Sequence, residues 1–245
     1  MPERVSVLGY PLDRLSLDQA VQQLQVWLAE PAGVARTVVT LNPEILVQAG
    51  DNPQLATCIR AADLVVADGV GVVWAAKQLG RGRFERVPGI ELCTALLARS
   101  RGLTVYLLGG RPGVAERAAR AVEQRFGAVV IGAEHGYFSA DAAGEGEVVA
   151  RIRASGAKLL LSGLGAGRQE IFHGRHRQAL GVQVAIGVGG SLDVLAGAAK
   201  RAPAWTSKLG LEWAWRVGLQ PGRWHRAPRL ARFAWEVRRA ARRPD

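Results

Sequence analysis

The chain has 245 residues, of which 49% are hydrophobic and 22% charged, and this composition is typical of a globular protein with one sizeable core. It contains no run of about 18 uncharged apolar residues, and its start lacks the basic-then-apolar order of a secretory signal, so we expect neither a spanning helix nor secretion. The formal net charge of +11 favours an anionic partner such as nucleic acid, anionic lipid or a phosphorylated substrate.

Short apolar runs rich in β-forming residues alternate with helical patterns along most of the chain. Strands bounded by glycine and separated by helices are typical of a largely parallel sheet covered on both faces. We therefore predict a Rossmann-like α/β core over residues 1–196 and a C-terminal basic helical appendage over residues 197–245. The predicted strands are 37–41, 64–67, 104–108, 129–132, 158–162 and 182–187, and the predicted helices are 18–28, 43–61, 89–99, 114–125 and 145–154.

Glycine-rich loops follow three of the predicted strands, at residues 109–113, 163–170 and 187–193. In an open α/β sheet, ligands bind beyond the carboxyl ends of the strands. Glycine lets the backbone approach a ligand closely, and the helix that follows offers N–H groups to a phosphate. These loops indicate a nucleotide or phosphosugar site. They include neither a complete G-x-G-x-x-G fingerprint nor a Walker A motif, so they leave NAD-dependent chemistry open but support it poorly.

Asp68 is the carboxylate that the pattern singles out, because it follows the wholly apolar predicted strand 64–67. This position aims its side chain at the predicted cleft, where partial desolvation would raise the pKa of the carboxyl group toward that of a general base. The alternative is that Asp68 caps the helix that begins near Gly71. A second candidate, Arg86, precedes another helix and either clamps a diphosphate or is an ordinary surface arginine.

No pattern of metal ligands is present in the sequence. His173 and His176 lie three residues apart on a predicted helix, but without a nearby carboxylate or cysteine pair to complete a site. Cys58 and Cys93 lie in helix-like apolar stretches, which indicates two buried thiols and a cytoplasmic protein. Because there is also no Asp-x-Asp pair to hold a metal–nucleotide complex, we expect a metal-independent mechanism.

The C-terminal appendage holds most of the excess charge, with twelve Lys and Arg against three acidic residues from residue 200 onward, a net charge of +9. It also holds five of the seven tryptophans: Trp205, Trp213, Trp215, Trp224 and Trp235. Tryptophan beside arginine on amphipathic helices suits an anionic membrane interface. The alternative is a helical cap whose tryptophans pack on the core while its arginines face water.

Taken together, these segments resemble the WecG/TagA/CpsF family of bacterial glycosyltransferases (glycosyltransferase family 26). The match runs through nearly the whole chain in the expected order. The segments that carry it are 40–44 (TLNPE), 67–74 (ADGVGVVW), 85–89 (ERVPG), 107–110 (LLGG), 163–170 (GLGAGRQE), 187–197 (GVGGSLDVLAG), 200–203 (KRAP) and 209–213 (LGLEW).

The resemblance implies inverting transfer of N-acetylmannosamine, or a related hexose or uronic acid, from a UDP-sugar without a cofactor. The implied acceptor is a polyprenyl-diphosphate-linked sugar used for teichoic acid, enterobacterial common antigen or exopolysaccharide. It also implies a cytoplasmic protein held peripherally at the inner face of the membrane, and a core that can self-associate into a homo-oligomer. Two other functions stay open at this point, a nucleotide-sugar or NAD-dependent oxidoreductase and a basic nucleic-acid-binding protein, but we expect no nucleic-acid partner.

The same resemblance assigns roles to individual residues. The family's base falls on Asp68, with Thr40 beside it, and Arg86 would offset charge on the leaving diphosphate. The implied substrate-binding residues are Asn42, Gln169 and Asp193, together with the backbone at Gly109 and Gly189 and the appendage arginines Arg216, Arg223 and Arg226.

Overall fold

The fold is that of a computed structural model, which describes residues 2–199 and 227–242. The strands are β1 (Glu3–Val7), β2 (Tyr10–Arg14), β3 (Arg36–Leu41), β4 (Leu64–Ala67), β5 (Thr104–Gly109), β6 (Val129–Glu134), β7 (Leu159–Gly163) and β8 (Val184–Gly187). The helices are α1 (Leu17–Ala29), α2 (Pro43–Asp51), α3 (Pro53–Arg60), α4 (Val70–Gln78), α5 (Gly89–Ala98), α6 (Val114–Phe126), α7 (Ala142–Ser155), α8 (Arg168–His176), α9 (Ser191–Leu195) and α10 (Ala227–Ala241).

Six strands form one parallel sheet, in the spatial order β4-β3-β8-β7-β5-β6. The strands are apolar runs, and β4 is buried along its whole length. Runs of this kind are typical of strands that are covered by helices on both faces. The predicted α/β fold with a largely parallel sheet is therefore confirmed, and all six predicted strands are present.

Helices cover the sheet in two layers. On one face, α1, α5, α6 and α9 pack around buried side chains such as Leu96 and Val122. On the other face, α2, α3, α4 and α10 form a second cluster with Ile45, while α7 and α8 form a third with Phe172. The core therefore lies on both sides of the sheet, and the ends of the strands remain at the rim.

A β-hairpin that the sequence analysis did not predict precedes the sheet. Its strands β1 and β2 pair in antiparallel register and pack beside the edge strand β4. The buried carboxylate of Asp13 accepts a hydrogen bond from Val65 N at 2.8 Å and pairs with Arg4 at 2.7 Å. The hairpin thus covers part of an edge that would otherwise expose unpaired backbone groups.

The single helix predicted over residues 43–61 is wrong, because the chain breaks into α2 and α3 at Asn52. Proline disfavours a helical conformation in the residue before it and has no N–H to donate. Asn52 is accordingly extended and caps α3, and its side chain accepts hydrogen bonds from Gln54 N and Leu55 N. Pro53 then opens the new helix.

The last helix, α10, packs on α2 and α4 through the buried side chains of Phe233 and Val237. Arg232 forms two hydrogen bonds to Asp51, at 2.6 and 2.8 Å. Within the range predicted for the appendage, α10 is helical. Residues 200–226 lie outside the described residues, so the appendage and the proposed division at residue 196 stay predictions. None of the described helices combines the length and hydrophobicity that crossing a membrane requires.

Candidate active site

A ligand-binding site is expected at the carboxyl ends of the strands. The chain leaves β3 toward α2 on one face of the sheet and leaves the neighbouring β8 toward α9 on the other face. Where connections after adjacent strands diverge in this way, they open a crevice, and open α/β proteins bind their ligands there. The residues along this edge form two groups. The polar half consists of the ends of β3 and β4, and the glycine half consists of the ends of β5, β7 and β8.

In the polar half, Asn42 and Asp68 follow two neighbouring strands at the same level. Their strands end in register, since Leu41 pairs with Ala67, and Asp68 N donates to Leu41 O at 2.8 Å. Asn42 caps α2 through its side-chain oxygen, which accepts from Ile45 N at 3.1 Å. The residue that caps α4 is Gly69, without a side-chain hydrogen bond. Asp68 therefore precedes the cap residue, and it is half-buried at the edge of the sheet.

Arg86 lies next to this strand end. The following residue, Val87, donates its N–H to Ala67 O at 2.8 Å, and this bond holds the segment 85–89 against the end of β4. The side chain of Arg86 is only 20% exposed and its Nη2 lies 3.8 Å from Glu91 Oε1. The alternative of an ordinary surface arginine is therefore not supported. The fold brings Arg86 and Asp68 to the same corner of the edge.

Thr40 is the penultimate residue of β3 and is buried, with 3% of its surface exposed. Its hydroxyl donates to Gly187 O at 2.9 Å and so joins β3 to β8. The first residue of α5, Gly89, lies so close that a Cβ there would come within 3.3 Å of the Thr40 side chain. The side chain thus fixes the junction between the two halves of the edge, and its predicted part in catalysis stays a prediction.

The glycine half brings three backbone segments together without side chains between them. A Cβ at Gly109 would lie 2.5 Å from Gly163 O, and a Cβ at Gly163 would lie 2.6 Å from Gly189 O. Only glycine fits at such distances. A Cβ at Gly189 would meet no atom within 4 Å, so this residue borders open space. The result is closely packed backbone that borders open space at Gly189, where a phosphate group can approach.

Gln169 links the glycine half to α8 and is almost fully buried, with 2% of its surface exposed. Its Oε1 accepts from Gly189 N at 3.1 Å, and its Nε2 donates to Glu170 Oε1 at 2.8 Å. Burial raises the pKa of Glu170, whereas the hydrogen bonds that its carboxylate accepts from Gln169 and Gly167 oppose this rise. Sequence reasoning selected Gln169 but missed Glu170.

Arg168 is a second residue that sequence reasoning missed. Its guanidinium donates to Gly136 O at 2.8 Å and Phe138 O at 3.1 Å, and it lies 4.5 Å above the ring of Phe138. The same loop is tied to the end of β5, because Gly136 N donates to Gly110 O at 3.0 Å. Arg168 therefore fixes the loop that follows β6 beside the glycine half.

Beneath the glycine half lies a buried serine–histidine pair. Ser162 Oγ and His173 Nε2 are 2.8 Å apart, and both residues are inaccessible to solvent. Burial lowers the pKa of His173 to about 3, which keeps the ring neutral. Because no substrate can reach Ser162, the pair supports the floor of the site and does not act as a nucleophile and base.

The other histidine of α8 has a partner that the sequence analysis did not foresee. His176 Nε2 lies 2.7 Å from a carboxylate oxygen of Glu145, so the expectation of no nearby carboxylate is wrong. Arg175 pairs with the same oxygen at 2.7 Å. Within residues 2–199 and 227–242, no group of three or more His, Cys, Asp or Glu side chains is arranged to hold a metal ion.

The remaining predicted residues are Asp193 and three arginines of the appendage. Asp193 lies in the first turn of α9 and is half-buried, and its carbonyl oxygen accepts from Ala198 N at 2.8 Å. Arg216, Arg223 and Arg226 lie outside the described residues. The structure therefore brings the described candidates to one edge of the sheet, while the role of each in catalysis or binding stays a prediction. These candidates are Thr40, Asn42, Asp68, Arg86, Gly109, Gln169, Gly189 and Asp193.

A comparison with known families agrees with this architecture. The sequence model of the glycosyl transferase WecG/TagA/CpsF family matches residues 5–245, which is nearly the whole chain. The match includes both halves of the sheet edge and the C-terminal appendage. The protein belongs to the WecG/TagA/CpsF family of glycosyltransferases.

Proposed function

We propose that this protein is an inverting, metal-independent glycosyltransferase that moves N-acetylmannosamine, or a related hexose or uronic acid, from UDP to a polyprenyl-diphosphate-linked sugar. The observation that carries the proposal is the corner where β3 and β4 end. There, backbone hydrogen bonds from Asp68 N and Val87 N hold a carboxylate and the adjoining Arg86 beside the crevice. A base and a cation at one strand end are what a displacement at a sugar diphosphate requires.

In the proposed reaction, Asp68 removes the proton from an acceptor hydroxyl. The hydroxyl oxygen forms a bond to the anomeric carbon from the face opposite UDP, and the bond from that carbon to the diphosphate oxygen breaks. The leaving diphosphate takes the electron pair, and Arg86 offsets its growing negative charge. Arg216, Arg223 and Arg226 are candidates to add positive charge at the same group.

The donor nucleotide is proposed to occupy the glycine half of the edge. The open space beside Gly189 suits close approach by a diphosphate, which side chains would hinder, while Gly109 is buried against Gly163 and its contact with the donor stays a prediction. Asp193, in the first turn of α9, is the candidate to hold the nucleoside, and Gln169 is the candidate to contact the donor. The sugar would then lie between the two halves, with its anomeric carbon toward Asp68.

The lipid-linked acceptor requires access to a membrane, and α10 supports such access. Its inner face packs on the core, whereas Trp235 is 57% exposed and Arg239 lies 5.1 Å above the Trp235 ring. Arg238 on the same helix and Arg242 directly after its end are also exposed. Arginine beside an exposed indole suits the headgroup region of an anionic leaflet, and we propose that the protein binds peripherally to the inner face of the cell membrane.

The experiment that tests the reaction measures UDP release from a panel of UDP-sugars with a polyprenyl-diphosphate-GlcNAc analogue, with and without EDTA. We expect acceptor-dependent, EDTA-insensitive release that the Asp68→Asn variant loses. Release with a different sugar would keep the mechanism and change the donor. Loss of release in EDTA, restored by a divalent cation, would overturn the metal-independent mechanism, and absence of UDP binding would overturn the proposal as a whole.

A vesicle experiment tests the membrane part of the proposal separately. The full chain should sediment with vesicles that contain anionic phospholipid and not with neutral ones, and added salt should weaken the binding. Replacing Trp235, Arg238 and Arg242 with serine should reduce the bound fraction without changing the free energy of unfolding. Equal binding to neutral vesicles would contradict the electrostatic part of the proposal.

A further inference from the structure

One side-chain amide holds the loop after β8 to the neighbouring helix α8. Gln169 Oε1 accepts from Gly189 N at 3.1 Å, while Gln169 Nε2 donates to Glu170 Oε1 at 2.8 Å. A backbone N–H can only donate and a carboxylate can only accept, so a single orientation of the amide satisfies both partners. Gly187 closes the remaining space, since a Cβ there would come within 2.5 Å of Gln169 Nε2.

Glu170 sets that orientation and is itself held firmly. It is 3% exposed, and its second carboxylate oxygen accepts from Gly167 N at 2.7 Å. The carboxylate therefore has one oxygen on the start of α8 and one on the amide of Gln169. Because both contacts are buried, little water is available to replace either partner.

We propose that Glu170 is a positioning residue of the donor site, acting through Gln169 to fix the loop after β8 in the conformation that binds the nucleotide diphosphate. The inference rests on the proposed function for the identity of the ligand. It rests on the structure for the chain of contacts from Glu170 to Gln169 to Gly189. Gly189 borders open space, and two residues later the chain enters α9, which carries Asp193.

A simpler role for Glu170 is to cap α8, and one substitution separates the two roles. Glutamine is also found at the third position of a capping box. In Glu170→Gln, the new side-chain oxygen can still accept from Gly167 N, but its amino group then faces the amino group of Gln169. Gln169 must turn over to remove this conflict, and its own amino group would then face Gly189 N–H. The cap is kept and the anchor of the loop is lost.

The first measurement is the amide hydrogen exchange of Gly189, resolved by NMR in the full chain without ligand. We expect exchange in Glu170→Gln to be faster by about tenfold or more, since one hydrogen bond to a buried partner is lost. We also expect the Kd for UDP and the KM for the sugar nucleotide to rise about tenfold, with kcat within about twofold of the wild type. The melting temperature should stay close to that of the wild type because the cap remains.

A double variant tests the direction of each bond. In Gln169→Glu with Glu170→Gln, the carboxylate at position 169 can accept from both Gly189 N and the new amide at position 170. Protection of the Gly189 amide should therefore return. Glu145→Gln is the matched control, because Glu145 is also a buried acid, 5% exposed, but it lies on α7 and pairs with Arg175 and His176 in the last turn of α8. It should lower stability and leave the exchange of Gly189 unchanged.

Each outcome decides between the two roles. Unchanged Gly189 exchange in Glu170→Gln would overturn the proposal, as would faster exchange with an unchanged Kd for UDP. Faster exchange that the double variant does not reverse would also overturn it, because the effect would then not pass through the amide of Gln169. If the wild-type chain bound no UDP, the proposed function would fail, while the exchange data would still decide whether Glu170 orients the loop.

Discussion

The strands of the parallel sheet begin at its amino edge and end at its carboxyl edge, and these two edges are built from different kinds of residue. At the amino edge, Asp63 pairs with Arg177 at 2.9 Å and accepts a hydrogen bond from Thr37 N at 2.8 Å. At the carboxyl edge, Gly109 and Gly163 place backbone directly against backbone. The amino edge therefore uses its charges to join elements of the fold, whereas part of the carboxyl edge has no side chains, so that backbone segments pack directly against one another.

Strand β4 shows the same contrast over its own short length. Asp63 precedes it, joined to neighbouring elements by ion pairs, and Asp68 follows it beside the crevice. Substitution of Asp63 is therefore expected to change the stability of the protein. Substitution of Asp68, at the other end of the strand, is expected to change the reaction rate. Variants at the two edges test this division.

The largest effect is expected for Asp68→Asn. If Asp68 is the general base, its loss should lower kcat by about 10³-fold, within the range that general-base catalysis contributes. The KM for the sugar nucleotide should change little, because the donor is proposed to bind in the glycine half. Steady-state UDP release with varied donor and acceptor measures both quantities.

The control for this prediction lies at the other end of the same strand. Asp63→Asn removes the charge that Arg177 and Arg36 share, so it should lower the free energy of unfolding while kcat of the folded enzyme stays near the wild-type value. A large fall in kcat in this variant, with the protein still folded, would contradict the division between the two edges.

The next effect in size is expected for Gly109→Ala in the glycine half. Gly109 has φ of 145°, and a Cβ there would lie 2.5 Å from Gly163 O, which is backbone and cannot turn aside. We expect a loss of about 3 kcal/mol in the free energy of unfolding, from backbone strain together with overpacking. Urea denaturation measures it, and the KM for the donor should rise in the protein that remains folded.

Gly156→Ala is the matched control for backbone strain alone. Gly156 ends α7 with φ of 70°, but a Cβ there would meet no atom within 4 Å. Its loss of stability should be about 1 kcal/mol, with an unchanged KM. Equal losses at positions 109 and 156 would show that the close contact with Gly163 has no energetic weight.

Much of the fold could be predicted because local sequence patterns indicate the strands and loops of the sheet. Each strand of the sheet is an apolar run, and loops such as 109–113 and 187–193 contain the glycines that the edge requires. The hairpin was missed because Glu3, Arg4 and Ser6 are exposed, so β1 carries only a weak alternation and no continuous apolar run.

The contacts that support the site could not be predicted from local patterns. Glu170 and His173 both lie on α8, and the sequence does not reveal that one orients Gln169 while the other meets Ser162 on β7. Arg168 reaches carbonyl groups 30 and 32 residues away in the chain. Such partners depend on how strands and loops are ordered in space, which spacing alone does not give.

A smaller effect is expected from the buried histidine under the glycine half. The pKa of His173 is about 3 in the folded protein and about 6.5 in the unfolded chain, so the unfolded chain binds the extra proton as the pH falls below 6.5. The contribution of His173 to the free energy of unfolding is therefore fully present above pH 6.5 and is lost on acidification. It should fall by about 2 kcal/mol between pH 7 and pH 5. Urea denaturation measures the free energy of unfolding at pH 7 and at pH 5. In His173→Gln, the difference between these two values should be smaller than in the wild type by about 2 kcal/mol. An equal pH dependence in both proteins would contradict the burial of a neutral ring.

The smallest effect is expected at the amino edge, for Arg36→Gln. Arg36 is 45% exposed and lies 3.4 Å from Asp63 and 3.6 Å from Glu30, so solvent and salt screen both pairs. Asp63 keeps Arg177 and the N–H of Thr37 as partners. The free energy of unfolding should therefore fall by less than about 1 kcal/mol, and the KM for the sugar nucleotide should not change. A rise in this KM would mean that strain at the amino edge reaches the nucleotide site through β3 and β8, and the two edges would then have to be treated as one coupled unit.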